Sequence, residues 1–171
     1  GERRAMRSLR EMHPGMPALR PLAAGMIREH FEFRQTIATI LADDPRHVEA
    51  ARSGMMTARQ EVERQITTDP YFSVTLEPYV PECPGRTVGR MARAAGDAGV
   101  GPMAAVAGAI AWAGVETMVE AGAAFGLIDN GGDIALVSDR EIRIGIFAGE
   151  SPLSGRFAFL LPPQDEILGI C

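Results

Sequence analysis

The amino-acid sequence predicts a single α+β domain in which a mixed or antiparallel sheet packs against two helices. Apolar residues recur at helical spacing from Val48 to Ile66, which is typical of an amphipathic helix. The alanine-rich stretch 102–121, uncharged as far as Val115, predicts a long buried helix. After residue 125 the apolar residues fall into short runs, some of them alternating with polar residues, as in strands.

The first half of the chain predicts an arm, two strands and two helices. Residues 1–26 mix arginines with prolines without a sustained period, so we expect an irregular arm before a domain spanning 27–171. Branched and aromatic residues from Phe31 to Leu41 predict a strand. Asp44 followed by Pro45 predicts a helix start, because an Asp side chain accepts N–H groups and Pro suits the first helical position. A further strand is predicted at 71–79 and a short helix at 88–95.

The second half predicts strands at 125–128, 134–137, 142–147 and 157–161. Ser138, Asp139 and Arg140 are predicted to form a hairpin turn between the second and third of these strands. The apolar run 167–171 ends without turn residues, so we expect the domain to continue past Cys171.

Composition argues against several classes of function. The net charge of -5 and the dispersed arginines indicate no nucleic-acid partner. No lysine occurs in the 171 residues, which leaves no group for a Schiff base or a Walker-type phosphate contact. Two cysteines without metal-binding spacing favour a reducing, cytoplasmic setting. The segment 98–115 is rich in Ala and Gly and contains Pro102, so we expect a buried helix and no membrane span.

Two features point to a ligand site. Gly101 precedes the predicted long helix, and a helix N-terminus offers unpaired N–H groups and a positive dipole end. The run from Asp129 to Asp133 contains glycines that let the backbone approach a ligand closely. We therefore expect a phosphate-bearing small molecule between the two features. The candidate residues are Gly101, Met103 and Ala104 as backbone donors, Asn130 as an amide contact, Gly131 and Gly132 for close approach, and Asp133 as a metal ligand.

The same features have other interpretations, which the sequence leaves open. The glycines near position 100 could simply join two helices, and the acidic run could be a turn in which Asn and Asp tolerate left-handed geometry. Asp129 and Asp133 could also form the acid/base pair of a metal-dependent hydrolase. The scattered residues His13, His30, His47 and Cys83 are not expected to have a catalytic or metal-binding role.

Several segments of the C-terminal half resemble a known family. GLIDNGGDIAL, IRIGIF, FAFLLP and ILGIC are similar to the central part of the FAD:protein FMN transferase (ApbE-like) proteins. Together with GVGPMAAVAGAIA they resemble more closely a branch related to that family. The resemblance implies an ApbE-like α+β fold with FAD or FMN and magnesium as cofactors. In the transferases, the FMN moiety is passed to a Ser or Thr of a target protein.

The sequence departs from that family at two points. The family's glycine-rich turn carries a lysine that this chain lacks, and the family's magnesium ligands come largely from a segment that would follow Cys171. We therefore expect binding of a flavin or another phosphate-bearing ligand, and not FMN transfer. The alternative is a non-catalytic interaction or assembly module on the same scaffold, with which a homodimer is compatible.

Overall fold

A computed structural model describes residues 25–145, 150, 151, 155 and 157–171. The arm predicted at 1–26 lies almost wholly outside the described residues, as do His13 and the end of the strand predicted at 142–147. The chain divides into two compact units. The larger contains 25–140 and 163–171, and the smaller includes the described residues between 141 and 162.

The larger unit contains a five-stranded sheet in which each neighbouring pair of strands is antiparallel. In spatial order its strands are β1 (Ile27–Phe33), β2 (Thr36–Ala42), β3 (Gly126–Asn130), β4 (Asp133–Ser138) and β7 (Gln164–Ile170). Its helices are α1 (Pro45–Thr68), α2 (Tyr71–Val74), α3 (Arg86–Ala98), a 3₁₀ turn (Pro102–Ala105) and α4 (Val106–Glu120). In the smaller unit, β5 (Ile142–Gly145) pairs with β6 (Ala158–Leu161). The predicted α+β class with an antiparallel sheet is confirmed.

Helix α1 begins where the sequence predicts. Asp44 is the N-cap, its carboxylate accepts the backbone N–H of Arg46 at 2.8 Å, and Pro45 occupies the first helical position. The buried face of α1 includes Val48, Ala51 and Met55, which belong to the same core cluster as residues of the sheet. The predicted amphipathic helix is therefore confirmed.

Helix α4 is the central helix of the larger unit, since it contacts α1, β3, β4 and β7. By length and composition, Pro102–Glu120 could also cross a membrane, but in this fold Ile110, Val115 and Met118 are buried in the core. The first turn of this segment is 3₁₀ and the rest is α-helix.

Two glycines allow α1 and α4 to approach each other closely. A Cβ atom at Gly54 would lie 2.8 Å from the Ala113 carbonyl oxygen and closer still to the Thr117 hydroxyl. A Cβ atom at Gly114 would lie 2.9 Å from Met55 Cγ. The Thr117 hydroxyl also donates to the Ala50 carbonyl at 2.8 Å, which links the two helices. The contact therefore depends on small residues on both helices.

Residues 31–41 form two strands instead of the single strand that we predicted. β1 and β2 pair over their whole lengths, with a turn at Arg34 and Gln35 between them. Arg34 has a φ of 55°, a left-handed conformation that is uncommon for residues other than Gly, Asn and Asp. No Gly, Pro, Asn or Asp marks this turn, which is why the pattern did not reveal it.

The strand predicted at 71–79 is also wrong. Pro70 has a helical φ of -61°, and the single turn α2 follows it. Phe72 is fully buried, whereas Val74 and Leu76 are exposed, so the alternation of the sequence does not correspond to two faces of a strand. The Tyr79 hydroxyl donates to Asp69 at 2.8 Å and fixes the end of this loop.

The turn at 138–140 forms, but it does not connect a hairpin. Ser138 Oγ donates to the Arg140 carbonyl at 2.6 Å and accepts the Arg140 N–H at 3.2 Å. The strands on its two sides belong to different sheets, because β4 pairs with β3 and β7 while β5 pairs with β6. The predicted hairpin is therefore wrong, since sequence proximity does not determine which strand a chain segment joins.

We expect Gly54→Ala to lower the free energy of unfolding by about 1–3 kcal/mol, because the new methyl group overlaps the backbone of α4. Urea denaturation of the variant and of the unaltered protein measures the difference. Gly96→Ala in α3 is the control, since no atom of the described residues lies within 4 Å of the added Cβ. That substitution should stabilise the protein by about 0.5–1 kcal/mol. Equal effects of the two substitutions would contradict the packing argument.

The cap of α1 should make stability depend on pH at low pH. Hydrogen bonds from the side chain and then from the backbone N–H of Arg46 lower the pKa of Asp44 to about 2. Its stabilising effect is complete above the unfolded pKa of about 3.9 and is lost as the pH falls through about 2. Asp44→Asn keeps a capping side chain without the titration. Melting temperatures between about pH 5 and pH 2 should therefore fall less steeply in this variant, and parallel curves would refute the assignment.

Candidate functional site

The predicted acidic turn joins β3 to β4 as a two-residue hairpin loop. Asn130 pairs with Asp133, and Gly131 and Gly132 between them have φ values of 67° and 102°. Positive φ at both central positions is the requirement of a type I′ turn, which explains the two glycines. The Gly132 N–H donates to the Asp129 carboxylate at 2.9 Å, so the structure already uses it.

Asn130 connects this hairpin to the beginning of α4. Its side chain is 6% exposed, and its amide nitrogen donates to the Ala107 carbonyl at 3.0 Å. Strand side chains alternate between faces, so Asp133, which lies opposite Asn130, also faces α4. Asp129 lies on the other face. Asp129 and Asp133 therefore do not meet as an acid/base pair.

The backbone donors expected near Gly101 are also partly used by the fold. Gly101 is buried, and a Cβ atom there would overlap the Thr75 carbonyl group. The Ala104 N–H donates to the Gly101 carbonyl at 3.1 Å within the 3₁₀ turn. Met103 packs against the core cluster that contains Val62 and Phe72. Close backbone packing therefore accounts for the glycine at position 101.

A cavity of about 450 Å³ lies between α3, the beginning of α4 and the edge of the sheet. Its walls consist mainly of alanines from the three helical segments and of Trp112 from α4. Ile134 of β4 and the end of β7 form the sheet side. The described residues that line the cavity are Arg90, Ala94, Ala95, Ala98, Val100, Ala104, Ala105, Gly108, Ala109, Trp112, Asp133, Ile134, Gly169, Ile170 and Cys171.

Two charged side chains belong to this lining. Arg90 Nη2 donates to Glu116 at 2.6 Å, and the guanidinium lies 5.3 Å from the centre of the Trp112 ring. The Nη1 atom of Arg90 is buried and has no hydrogen-bond partner in the part of the chain that the structure describes. Asp133 Oδ2 lies 3.7 Å from the position that a Cβ at Gly108 would occupy. Within the described part of the chain, no hydrogen bond or ion pair to the Asp133 carboxylate is observed.

The structure brings only two of the seven candidate residues, Ala104 and Asp133, to this cavity. Gly101 and Asn130 are buried in contacts of the fold, and Gly131 and Gly132 lie exposed in the hairpin turn. Arg90 and Trp112 also line the cavity and were not predicted from the sequence. Trp112 is the only tryptophan in the chain and lies in its most apolar helix, which was a usable signal. Nothing local pairs it with Arg90, which comes from another helix.

The described residues contain no group of three or more His, Cys, Asp or Glu side chains that could hold a metal ion. His30 contacts Glu32 at 2.8 Å on the surface. Cys83 is exposed in a loop, and Cys171 lines the cavity. Asp133 could therefore hold a metal only together with oxygen atoms from a ligand or from water.

Fold and cavity together define an α+β domain with a mainly apolar cavity beside the edge of an antiparallel sheet. A family model described as "AbpE bacteria" matches residues 20–171, and the chain belongs to this family. It is 76% identical over 146 residues to a UPF0280 protein of Methanoculleus marisnigri, covering 85% of this chain and 60% of the relative.

Two further relatives are also UPF0280 proteins. The protein of Methanosphaerula palustris is 60% identical over 146 residues, covering 85% of this chain and 62% of the relative. The protein of Methanosarcina acetivorans is 49% identical over 158 residues, covering 91% and 61%. The chain thus spans about 60% of the length of these curated relatives.

These matches correct the resemblance to the FAD:protein FMN transferases. AbpE is a family distinct from the ApbE flavin transferases, and the relatives carry only the name UPF0280. The motif GLIDNGGDIAL carried much of the resemblance, and it is explained here by a type I′ turn between two strands. Such a turn selects Asn, Gly and Asp wherever it occurs, so the motif does not identify a family.

We expect Asn130→Ala to destabilise the protein by about 1–3 kcal/mol, because the Ala107 carbonyl loses its buried donor. Amide hydrogen exchange should accelerate most in the first turn of α4 and in the hairpin. Asp129→Ala is the control, since its hydrogen bond to Gly132 is exposed. If both substitutions changed exchange in α4 equally, the connection through Asn130 would be wrong.

Proposed function

We propose that this protein binds a small molecule with a flat apolar ring system and a phosphate group in the cavity between α3, α4 and the sheet edge. The observation that supports this most directly is an apolar cavity of about 450 Å³ with one carboxylate, that of Asp133, which has no observed partner in the described part of the chain. Ligand sites are typically concave and mostly apolar, with a few polar groups and volumes of about 300–1,000 Å³. FAD and FMN are the first ligands to test.

The residues around Trp112 suit a flat ring. Trp112 presents an aromatic surface on which a ring can stack. Gly108 and Gly169 line the same cavity, and a Cβ at Gly169 would lie 3.6 Å from the Trp112 ring. Glycines at these two positions leave space beside the ring that larger side chains would fill.

The charges of the cavity make a specific demand on the ligand. A phosphate group would be attracted to Arg90 and repelled by Asp133 unless a cation lay between the two anions. Magnesium commonly binds through one or two carboxylates together with substrate phosphates. We therefore propose that magnesium binds with the ligand, through Asp133 and phosphate oxygens, and not in its absence.

We expect FAD or FMN to quench the fluorescence of Trp112, which is the only tryptophan and lines the cavity. Full-length protein is titrated with each flavin, with and without magnesium, using free tryptophan to correct for light absorbed by the flavin. Ala104→Phe fills the cavity from its exposed rim and should weaken binding by at least about tenfold. Ala124→Phe, exposed and outside the lining, should not.

Asp133→Asn tests the proposed cation. Binding by this variant should no longer depend on magnesium, because the repulsion that the cation offsets is removed. Absence of quenching at high micromolar flavin would exclude flavins, and unchanged affinity of Ala104→Phe would exclude the cavity as the binding site.

A second candidate function, an interaction or assembly module, is favoured by one observation. Among the described strands, β7 lies at the edge of its sheet and pairs only with β4, so the outer backbone groups of residues 165–170 suit pairing with a strand of another chain. A homodimer formed through β7 would be detected by size-exclusion chromatography with light scattering. A stable dimer that binds no flavin would favour this function over ligand binding.

A further inference from the structure

Arg59 is a buried cation that has no counter-charge among the described residues. It lies on α1 between Ala58 and Val62, which belong to the core, and only 8% of the residue is exposed. Its Nε atom has no hydrogen-bond partner, and no ion pair of Arg59 occurs among the described residues. Burial, followed by the positive charge of Arg34, lowers the pKa of Arg59. Burying a charge without a partner is costly, so such a side chain points to an anion that completes the site.

A carboxylate one helical turn from Arg59 is already paired. Glu63, one turn after Arg59 on α1, forms an ion pair with Arg34. Glu63 offsets the charge of Arg34, so among the described residues the positive charge of Arg59 is left without a counter-charge. Arg34 is held there by the β1–β2 turn, in the left-handed conformation described above.

A hydroxyl group lies at the same end of the sheet. Thr36 follows the turn that holds Arg34, and it alternates along β2 with Ala38, Ile40 and Ala42, which belong to the same core cluster as residues of α1. Its side chain therefore lies on the face of the sheet that packs against α1. Thr36 is 2% exposed, and its Oγ1 atom also lacks a hydrogen-bond partner within residues 25–145 and the other described positions. Arg59 and Thr36 thus supply a buried cation and a buried hydroxyl without partners among the described residues, next to the ion pair of Arg34 and Glu63.

We propose that Arg59 and Arg34, with the hydroxyl of Thr36, form a binding site for a phosphate group. Guanidinium groups bind phosphate through paired, charge-assisted hydrogen bonds, and a hydroxyl can donate a further one. The site shares no residue with the lining of the cavity near Trp112. It therefore does not rest on the proposed ligand, and its test can fail without affecting that proposal.

The experiment measures the melting temperature of the full-length protein in inorganic phosphate and in chloride at equal ionic strength and pH. Phosphate should raise the melting temperature of the unaltered protein in a saturable way. Arg59→Met should abolish this saturable rise and weaken phosphate binding by at least about tenfold, because the charged donor is lost. In chloride, this variant should be at least as stable as the unaltered protein, since an uncompensated buried charge has been removed.

Arg64→Met is the matched control, because Arg64 is exposed on the same helix and should leave the phosphate response unchanged. Phosphate also stabilises proteins by exclusion from their surface, and that effect would be the same in all variants. An identical rise in Arg59→Met would therefore overturn the proposal. If Arg59→Met does not fold, Thr36→Val and Arg34→Gln replace it, with phosphorus NMR of inorganic phosphate as the readout. Unchanged phosphate line widths in both variants would then refute the site.

Discussion

The close contact between α1 and α4 is the constraint on which the rest of the larger unit depends. Gly54 and Gly114 remove the side chains that would separate the two helices, and Thr117 bonds across the gap to Ala50. Once α1 fixes one side of α4, the sheet packs on another, where Ile128 meets Gly114. The remaining side of α4 carries Trp112 and forms a wall of the cavity. The position of the cavity therefore depends on how α1 and the sheet orient α4, and not only on the residues that line it.

The hydrogen bond from Asn130 to Ala107 fixes the position of the sheet relative to α4. It fixes the β3–β4 hairpin against the first turn of α4, and the strand pairing then sets which side chains face the helix. Asp133 is directed toward α4 because it lies opposite Asn130 in the register. A shift of the register by one residue would turn Asp133 away and bring Ile134 toward the helix. The position of the Asp133 carboxylate in the cavity thus depends on the buried side-chain amide of Asn130.

The sequence predicted those parts of the fold whose cause is local. The cap formed by Asp44 and Pro45 and the turn at Gly131 and Gly132 each involve neighbouring residues with special backbone preferences, and both were located correctly. The apolar periodicity of α1 and the composition of α4 likewise indicated buried surfaces. The turn at Arg34 contains no residue with such a preference, so it was not predicted. Residues 71–79 alternate as in a strand, but a single helical turn follows Pro70 there.

The candidate site was predicted less well, because its contacts join distant parts of the chain. Arg90 of α3 contacts Trp112 of α4, and no spacing in the sequence predicts that contact. Gly101 looked like a ligand loop, but the Thr75 carbonyl occupies the space beside it. The family resemblance failed for a similar reason, since a turn motif records local backbone geometry and little about ancestry.

The connection between β2 and β3 has a consequence for how this protein reaches its native state. These strands are neighbours in the sheet, yet residues 43–125, which contain all of the described helices, separate them in the chain. β2 and β3 cannot pair until residues 43–125 bring them together, so this pairing carries a large entropic cost of loop closure. Such high contact order slows folding and leaves strand edges unpaired for longer. The nascent chain is therefore most exposed to aggregation after β2 has emerged and before β3 arrives to cover it.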